Sequence, residues 1–181
     1  MTERPFSLIP FRDPNIPDIT ITGKILRQIN LLTIHYAVTG KTGDIFLPSL
    51  SVNPIRKADL WKTTCLEFFL AVKGLPHYWE FNLSPSGDWN VYHIEAYRRI
   101  GFREETSIQR LQFGTRKVEY GFALNAAVDL NPIIRVGQIL EVGVTAVIQT
   151  NEGSETYWAL WHPAPEADFH LRESFILALA E

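Results

Sequence analysis

Residues 78–99 read YWEFNLSPSGDWNVYHIEAYRR, and this stretch decides the fold class. In its first half Trp79, Phe81 and Leu83 alternate with polar or mixed side chains. Successive side chains of a β-strand point to opposite faces, so this alternation predicts a strand with one face in the core. The tetrapeptide PSGD that follows is typical of a tight turn, because Pro fixes φ, Gly permits positive φ and Asp bonds its own backbone. A second alternating run begins at Trp89, and the whole stretch therefore predicts a β-hairpin.

The other face of the first predicted strand carries Tyr78, Glu80 and Asn82. Polar groups on a half-buried strand need solvent or a partner, because a buried group without a hydrogen bond is costly. Trp89 follows the turn directly, at a strand end where we expect one face of its ring to reach solvent. Such a hairpin is typical of a surface that binds a small ligand, and a purely structural hairpin held by hydrogen bonds is equally compatible with it.

Strand patterns continue through the rest of the chain, without a convincing helical stripe of about ten residues or more. Strands are predicted at 31–38, 65–72, 117–124 and 140–148, with shorter ones at 19–26, 45–47, 107–113, 156–160 and 175–179. Short helical segments are predicted around 57–61 and 130–135. About ten strands without crossover helices predict an all-β fold, an antiparallel two-sheet β-sandwich of jelly-roll type.

The length and composition fit one soluble domain. Of the 181 residues 46% are hydrophobic and 20% are charged, with a net charge of −3. We assign residues 1–18, which are rich in proline, to an N-terminal arm and residues 19–181 to a single sandwich domain. The chain has no basic cluster, so we expect no nucleic acid partner, and no apolar run of about 20 residues, so we expect no membrane partner. A single cysteine, Cys65, and the absence of a signal-like start predict a cytoplasmic protein whose thiol is buried and inert.

Glu67 interrupts an apolar strand, CLEFFLAV, at 65–72. A carboxylate in that position must face solvent, pair with a neighbour or bind something. A salt bridge or hydrogen bond to a neighbouring strand and a role in ligand binding are both open at this point.

Three blocks of sequence together resemble a known family. They are ADLWKTTCLEFFL at 58–70, the hairpin stretch at 78–99, and YWALWHPAPEADFHLRESF at 157–175. Their pattern is similar to that of the DOMON-like proteins related to the family 9 carbohydrate-binding modules. It consists of a Trp, a strand with an inward Glu, a strand that continues into Pro-x-Gly, and a return strand. The resemblance covers roughly residues 58–176 and implies a two-sheet antiparallel sandwich.

The resemblance also implies a function, because in the sugar-binding relatives aromatic rings clamp a pyranose while polar side chains bond its hydroxyls. This division fits sugar chemistry, since C–H faces suit ring π-clouds and hydroxyls need donors and acceptors. The clamp candidates are Trp61, Trp89, Trp158 and Trp161, and the hydroxyl-facing candidates are Glu67, Glu80, Asn82, Asn90 and Arg98. For each individual Trp, a place in the sandwich core or at its ends is favoured over a role in the clamp. Other proteins of this fold bind haem through Met and His, and since Met1 is the sole methionine we expect no haem.

The segment at 162–170 brings His162, Asp168 and His170 close together in sequence. Such groups could form a metal or acid–base cluster, but the spacing fits no standard zinc pattern, and we expect an Asp–His hydrogen bond that fixes the loop. We predict no metal and no cofactor.

The leading hypothesis is a non-catalytic module that binds a small polar ligand, most plausibly a carbohydrate. The alternatives are an enzyme that uses Glu67, Glu80, His162, Asp168 and His170 on a carbohydrate-like substrate, and a protein–protein interaction module.

Overall fold

The structure, a computed structural model, describes residues 1–97 and 102–181. The strands in this part of the chain are β1 Thr2–Ser7, β2 Ile9–Pro10, β3 Ile19–Gln28, β4 Leu31–Gly40, β5 Cys65–Val72, β6 Tyr78–Leu83, β7 Trp89–Ile94, β8 Arg103–Glu104, β9 Gln112–Val118, β10 Gly121–Asp129, β11 Leu140–Gln149, β12 Glu155–Ala159 and β13 Leu177–Leu179. The helices are short 3₁₀ turns at Thr42–Asp44, Leu60–Lys62 and Arg172–Ser174. The predicted all-β class is thus confirmed.

Two antiparallel sheets face each other. The first has the order β1-β3-β4-β10-β9, and the second has the order β2-β12-β11-β5-β6-β7-β8. β12 pairs with residues 145–149 of β11, and β13 pairs with residues 140–142 of the same strand. The predicted hairpin forms β6 and β7, in which Leu83 pairs with Trp89 and Tyr78 pairs with Ile94. The stretch of sequence that predicted the fold therefore builds the two strands between β5 and β8 of the second sheet.

The main core lies between the sheets and follows the period-2 alternation. Phe68 of β5 and Phe81 of β6 stack at 4.3 Å between ring centroids, and both are fully buried. Tyr36 of β4 crosses the core and donates a hydrogen bond of 2.6 Å to the backbone oxygen of Glu67. Because of this alternation, Glu67 and the residues that share its strand face point away from this core, toward the outer surface of the second sheet.

Several features differ from the sequence-based expectations, among them the strands expected at 45–47 and 107–113 and the helical segment expected at 130–135, which are not formed with those bounds. Residues 1–18, expected as an arm, supply β1 to the first sheet and β2 to the second, and Phe6 is buried in the core. The strand predicted at 117–124 is wrong, because a two-residue turn at 119–120 divides this stretch between β9 and β10. β9 has polar side chains on an exposed edge, so apolar alternation could not identify it.

The described residues contain no helix that is long and apolar enough to cross a membrane.

Candidate ligand-binding cleft

A cleft of about 770 Å³ opens on the outer face of the second sheet. A small apolar cluster that includes Phe69, Tyr78, Tyr92 and Phe175 covers part of this face, and the cleft lies beside it. Its lining residues are Trp61, Lys62, Glu67, Phe69, Tyr78, Glu80, Tyr92, Ile94, Phe102, Val147, Glu155, Tyr157, Ala167, Asp168, Phe169 and His170. We call it the outer-sheet cleft.

Strand register brings the polar floor of the cleft together. Glu67 pairs with Asn82, and Glu80 pairs with Phe69, so the two glutamates are diagonal neighbours on β5 and β6. Thr145 of β11 lies opposite Glu67 on its other side. Since side chains at opposed and diagonal positions of one face can touch, Glu67, Glu80 and Asn82 share the face that the alternation predicts.

The Glu67 carboxyl group is buried, and among the described residues only one of its two oxygens has a hydrogen-bond partner. The residue is 2% exposed, and its Oε2 accepts a hydrogen bond of 3.3 Å from the Thr145 hydroxyl. Within residues 1–97 and 102–181, Oε1 is buried without a hydrogen-bond partner. Burial foremost, and the nearby Glu80 second, raise the pKa of the Glu67 carboxyl well above its ordinary value of 4.5.

Glu80 has a more complete set of partners. Its Oε1 accepts a hydrogen bond of 2.7 Å from the side-chain amide of Asn82, and its Oε2 lies 4.0 Å from His170 Nε2. Burial raises the pKa of the Glu80 carboxyl, while His170 and the bond from Asn82 act in the opposite direction. Asn82 is fully buried, so it orients Glu80 from beneath the floor.

Aromatic rings stand on both sides of this polar floor. On one side, Tyr92 of β7 makes edge contacts with Trp61 at 5.7 Å and with Phe102 at 5.4 Å between centroids. On the other side, Tyr157 of β12 makes an edge contact with Phe169 at 5.9 Å. β12 and β7 are separated by β11, β5 and β6, so the rings flank the two glutamates across about 19 Å of sheet.

The loop after β12 forms one rim and is fixed by hydrogen bonds. Asp168 Oδ1 accepts a 3.0 Å bond from the backbone N–H of His170, which is the Asp–His bond expected from the sequence, made to the main chain rather than the ring. Asp168 Oδ2 accepts a 2.7 Å bond from the Tyr97 hydroxyl. The His170 ring lies 2.9 Å from the Tyr78 hydroxyl through Nδ1, so the sheet positions the loop.

Glycine at position 143 makes room for this arrangement. Gly143 lies opposite Phe69 on the outer face, and a Cβ built there would come within 2.9 Å of the Phe175 ring. The Phe175 ring therefore rests on bare backbone, which places the loop that carries His170 close to the sheet.

Comparison with known proteins identifies the architecture. No family model and no curated protein matches the sequence. A candidate carbohydrate-binding protein from Bacteroides uniformis ATCC 8492 matches this structure with a TM-score of 0.71 at 11% identity, over 96% of this chain and 83% of that one. A family 9 carbohydrate-binding module from Caldicellulosiruptor kristjanssonii, solved with glucose and with cellotriose, gives a TM-score of 0.50 at 13% and 14% identity, over 84% of this chain and 72% and 70% of the module.

The fold is that of the family 9 carbohydrate-binding modules. The similarity confirms the resemblance to this family for the fold, and it confirms the two-sheet sandwich. The DOMON-like part of the resemblance stays a prediction.

Five of the residues predicted from the sequence line the outer-sheet cleft of this sandwich. They are Trp61, Glu67, Glu80, Asp168 and His170. Asn82 lies directly behind them through its bond to Glu80. Arg98 lies outside the described residues. The remaining predicted residues are placed elsewhere by the sandwich, each for a physical reason.

Trp89 is a correction. It is 7% exposed and lies on the core-facing side with Val91, so the expectation that its ring reaches solvent is wrong. The guanidinium of Arg56 covers the ring at 4.4 Å, which closes the strand end that the sequence left open. Trp158 is likewise a core residue, 3% exposed, whose indole N–H donates a 3.0 Å bond to the Thr156 hydroxyl.

Asn90 and His162 have structural partners and do not line the cleft. The Asn90 side-chain oxygen accepts a 2.7 Å bond from Arg56, and its amide donates a 2.9 Å bond to the Tyr92 hydroxyl. His162 Nε2 lies 3.0 Å from the backbone oxygen of Ile9, so it holds the N-terminal segment against the second sheet. Of the five residues in the enzyme hypothesis, His162 is therefore separated from the other four. The exposed Trp161 is not among the residues that line the cleft.

Several lining residues were missed by the sequence-based prediction. Phe69, Tyr78 and Tyr92 carry a usable signal, because each is two positions from a predicted residue of the same strand face. Tyr157 and Val147 carry none, because their place beside Glu67 depends on the pairing of β5, β11 and β12. Among the described residues, no three His, Cys, Asp or Glu side chains form a cluster that could hold a metal ion.

Proposed function

We propose that this protein is a non-catalytic module that binds a carbohydrate in the outer-sheet cleft. The observation that carries the proposal is the arrangement of the cleft, in which aromatic rings flank a floor of buried carboxyl and amide groups. A pyranose has apolar C–H faces and a rim of hydroxyls, and it needs both kinds of surface. The fold shared with modules solved with glucose and cellotriose supports the choice of ligand.

The carboxyl pair is the observation that favours a second candidate, glycoside hydrolysis. A glycosidase uses two carboxyl groups that flank the scissile bond, one of them with a raised pKa. Here Glu67 and Glu80 lie side by side on the floor, on adjacent strands of one sheet face. A sugar that rests on this floor would have both carboxyl groups on the same side, which favours binding over cleavage.

A binding assay with glucose and cellotriose tests the proposal. We expect calorimetry to detect binding to the wild type, and we expect Tyr157→Ala and Phe102→Ala each to weaken it by about tenfold, because each removes a ring from one wall. Both rings are partly exposed, at 36% and 60%, so the variants should fold. Tyr120→Ala is the matched control, since Tyr120 is 69% exposed in the turn that follows β9, on the first sheet.

Three outcomes test the location of the site and decide between the candidates. If Tyr120→Ala weakens binding as much as Tyr157→Ala does, the ligand does not bind in the outer-sheet cleft. Cellotriose that is recovered unchanged after long incubation agrees with a binding module. If the wild type releases glucose, and this release is abolished in both Glu67→Gln and Glu80→Gln, the protein is a glycoside hydrolase and the proposal of a binding module is wrong.

A further inference from the structure

The outer-sheet cleft is acidic at its base. Its carboxyl side chains are Glu67, Glu80, Glu155 and Asp168. Among the lining residues that the structure describes, Lys62 and His170 are the candidates for positive charge. Lys62 is exposed and forms an ion pair of 2.8 Å with Asp59, and His170 approaches Glu80 at 4.0 Å. Neither forms an ion pair with Glu67 in the described part of the chain.

The donors that reach the two glutamates from within the sheet are neutral. Asn82 donates an amide hydrogen to Glu80, and Thr145 donates a hydroxyl hydrogen to Glu67. Glu67 Oε1 is left as a buried acceptor without a partner in residues 1–97 and 102–181. An unpaired buried acceptor is costly and is expected to meet a donor when the site is filled.

The charge of the pair specifies what kind of donor fits best. Burial and the proximity of two carboxyl groups on adjacent strands disfavour the doubly ionised pair, in agreement with the direction in which the pKa of each is shifted. A cationic donor favours ionisation of the pair, because it compensates the negative charge. An ammonium group brings three donors, no acceptor and one positive charge, whereas a hydroxyl brings one donor and no charge. The aromatic walls add to this preference, because ring faces attract cations.

We propose that the cleft selects an amine-bearing pyranose of the glucosamine type, with its protonated amine at Glu67 Oε1 and Glu80 and its ring between the aromatic walls. The inference rests on the proposed function, because it takes the sugar site as given and specifies which sugars occupy it. It also explains why a carboxyl group stands in an otherwise apolar strand, where a neutral amide would fold at lower cost.

Calorimetry at pH 6, where the amine is protonated, tests this inference with glucosamine, glucose, N-acetylglucosamine and putrescine as probes. We expect glucosamine to bind at least about tenfold more tightly than the other three, because charge-assisted hydrogen bonds are the strong ones. Glu67→Gln and Glu80→Gln should reduce this preference to about twofold, measured against the glucose affinity of the same variant. Glu155→Gln is the matched control, since Glu155 lines the cleft but its carboxylate accepts from the Tyr157 hydroxyl at 2.9 Å; it should keep the preference.

The outcomes separate this inference from the proposal beneath it. If none of the sugars binds, the proposed function fails, and the inference fails with it. If glucose binds as tightly as glucosamine, the inference alone is overturned. Equal binding of putrescine would show that an amine suffices without a pyranose, and loss of the preference in Glu155→Gln would remove the pair as its source. Either result overturns the inference.

Discussion

Glu67 places a carboxyl group where its strand neighbours are apolar, and this makes the stability of the protein depend on pH. Burial raises the pKa of the folded-state carboxyl well above 4.5. A group whose pKa is higher in the folded state than in the unfolded state favours folding while it is protonated. That contribution is fully present below about pH 4.5 and is lost as the pH rises toward the folded-state value.

We expect Glu67→Gln to become more stable than the wild type as the pH rises. Glutamine cannot ionise, so it avoids the cost of keeping a proton, which is about 1.4 kcal/mol for each pH unit between 4.5 and the folded-state pKa. Urea unfolding at pH 4 to 8 measures the difference in free energy of unfolding, which should grow with pH and then level off. Glu152→Gln, in an exposed turn, is the control and should follow the wild type. A constant difference between the Glu67→Gln variant and the wild type would contradict the proposed burial of the carboxyl group.

For single residues, the sequence predicts which strand face a side chain occupies better than it predicts whether that side chain is exposed to solvent. Alternation places Trp89 with Val91 and His93, and the structure has these residues on one face. The expectation of an exposed ring came from the neighbouring turn, and it failed because Arg56, distant in sequence, covers the ring. Burial at a strand end depends on which loop packs over it, and a local pattern does not contain that information.

Among the elements, the hairpin of β6 and β7 was predictable from its alternation, and the strand β5 was predictable from its run of apolar and aromatic residues. β9 and β10 were not predicted correctly, because β9 lies at an edge and has few apolar residues. β1 was assigned to an arm on the basis of its proline content. Pro5 nevertheless lies in β1, an edge strand, where a residue without an N–H is tolerated.

β1, β3 and β4 approach each other closely at Gly23, and this contact yields a prediction. A Cβ at Gly23 would lie 1.9 Å from the backbone oxygen of His35 and 2.5 Å from the Phe6 ring. Gly23→Ala should therefore lower the free energy of unfolding by about 3 kcal/mol or more, since the backbone of β4 must move. Thermal and urea unfolding measure the loss.

Gly114→Ala is the matched control for this contact. Gly114 also lies within a strand, β9, and a Cβ there would meet nothing within 4 Å. This change should leave stability within about 0.5 kcal/mol or raise it, because glycine loses more conformational freedom on folding than alanine. Equal losses at both positions would mean that β1 and β3 do not pack against β4 as described.

In the whole molecule, the site combines residues from strands that are far apart in sequence. β5, β6 and β7 are consecutive, so their share of the floor follows from alternation alone. β11 and β12 join them from the other end of the chain, and the loop that carries His170 returns over the same face. The half of the cleft built from 61–94 was therefore partly predictable, and the half built by Tyr157 and Phe169 needed the sheet order.

The two sheets and the cleft are connected at Glu67, whose backbone accepts from Tyr36 on the core side while its side chain faces the cleft. Two matched substitutions separate these roles, because each removes a single hydroxyl. Tyr36→Phe removes the 2.6 Å bond between the sheets, and Tyr78→Phe removes the 2.9 Å contact with His170 at the rim. We expect each to lower the free energy of unfolding by about 1–2 kcal/mol, since Tyr36→Phe deletes a buried hydrogen bond and Tyr78→Phe deletes a partly buried one.

Sugar binding should respond to only one of them. Tyr36→Phe leaves the cleft side of β5 unchanged, so the affinity for glucose or cellotriose should stay within about twofold of the wild type. Tyr78→Phe releases the rim from the sheet, so affinity should fall by about fivefold, because a loop that is no longer held must be ordered when the ligand binds. Calorimetry and urea unfolding on the same samples give both quantities. If Tyr36→Phe weakens binding as much as Tyr78→Phe does, the core and the cleft are not independent, and the rim contact with His170 is not what positions the site.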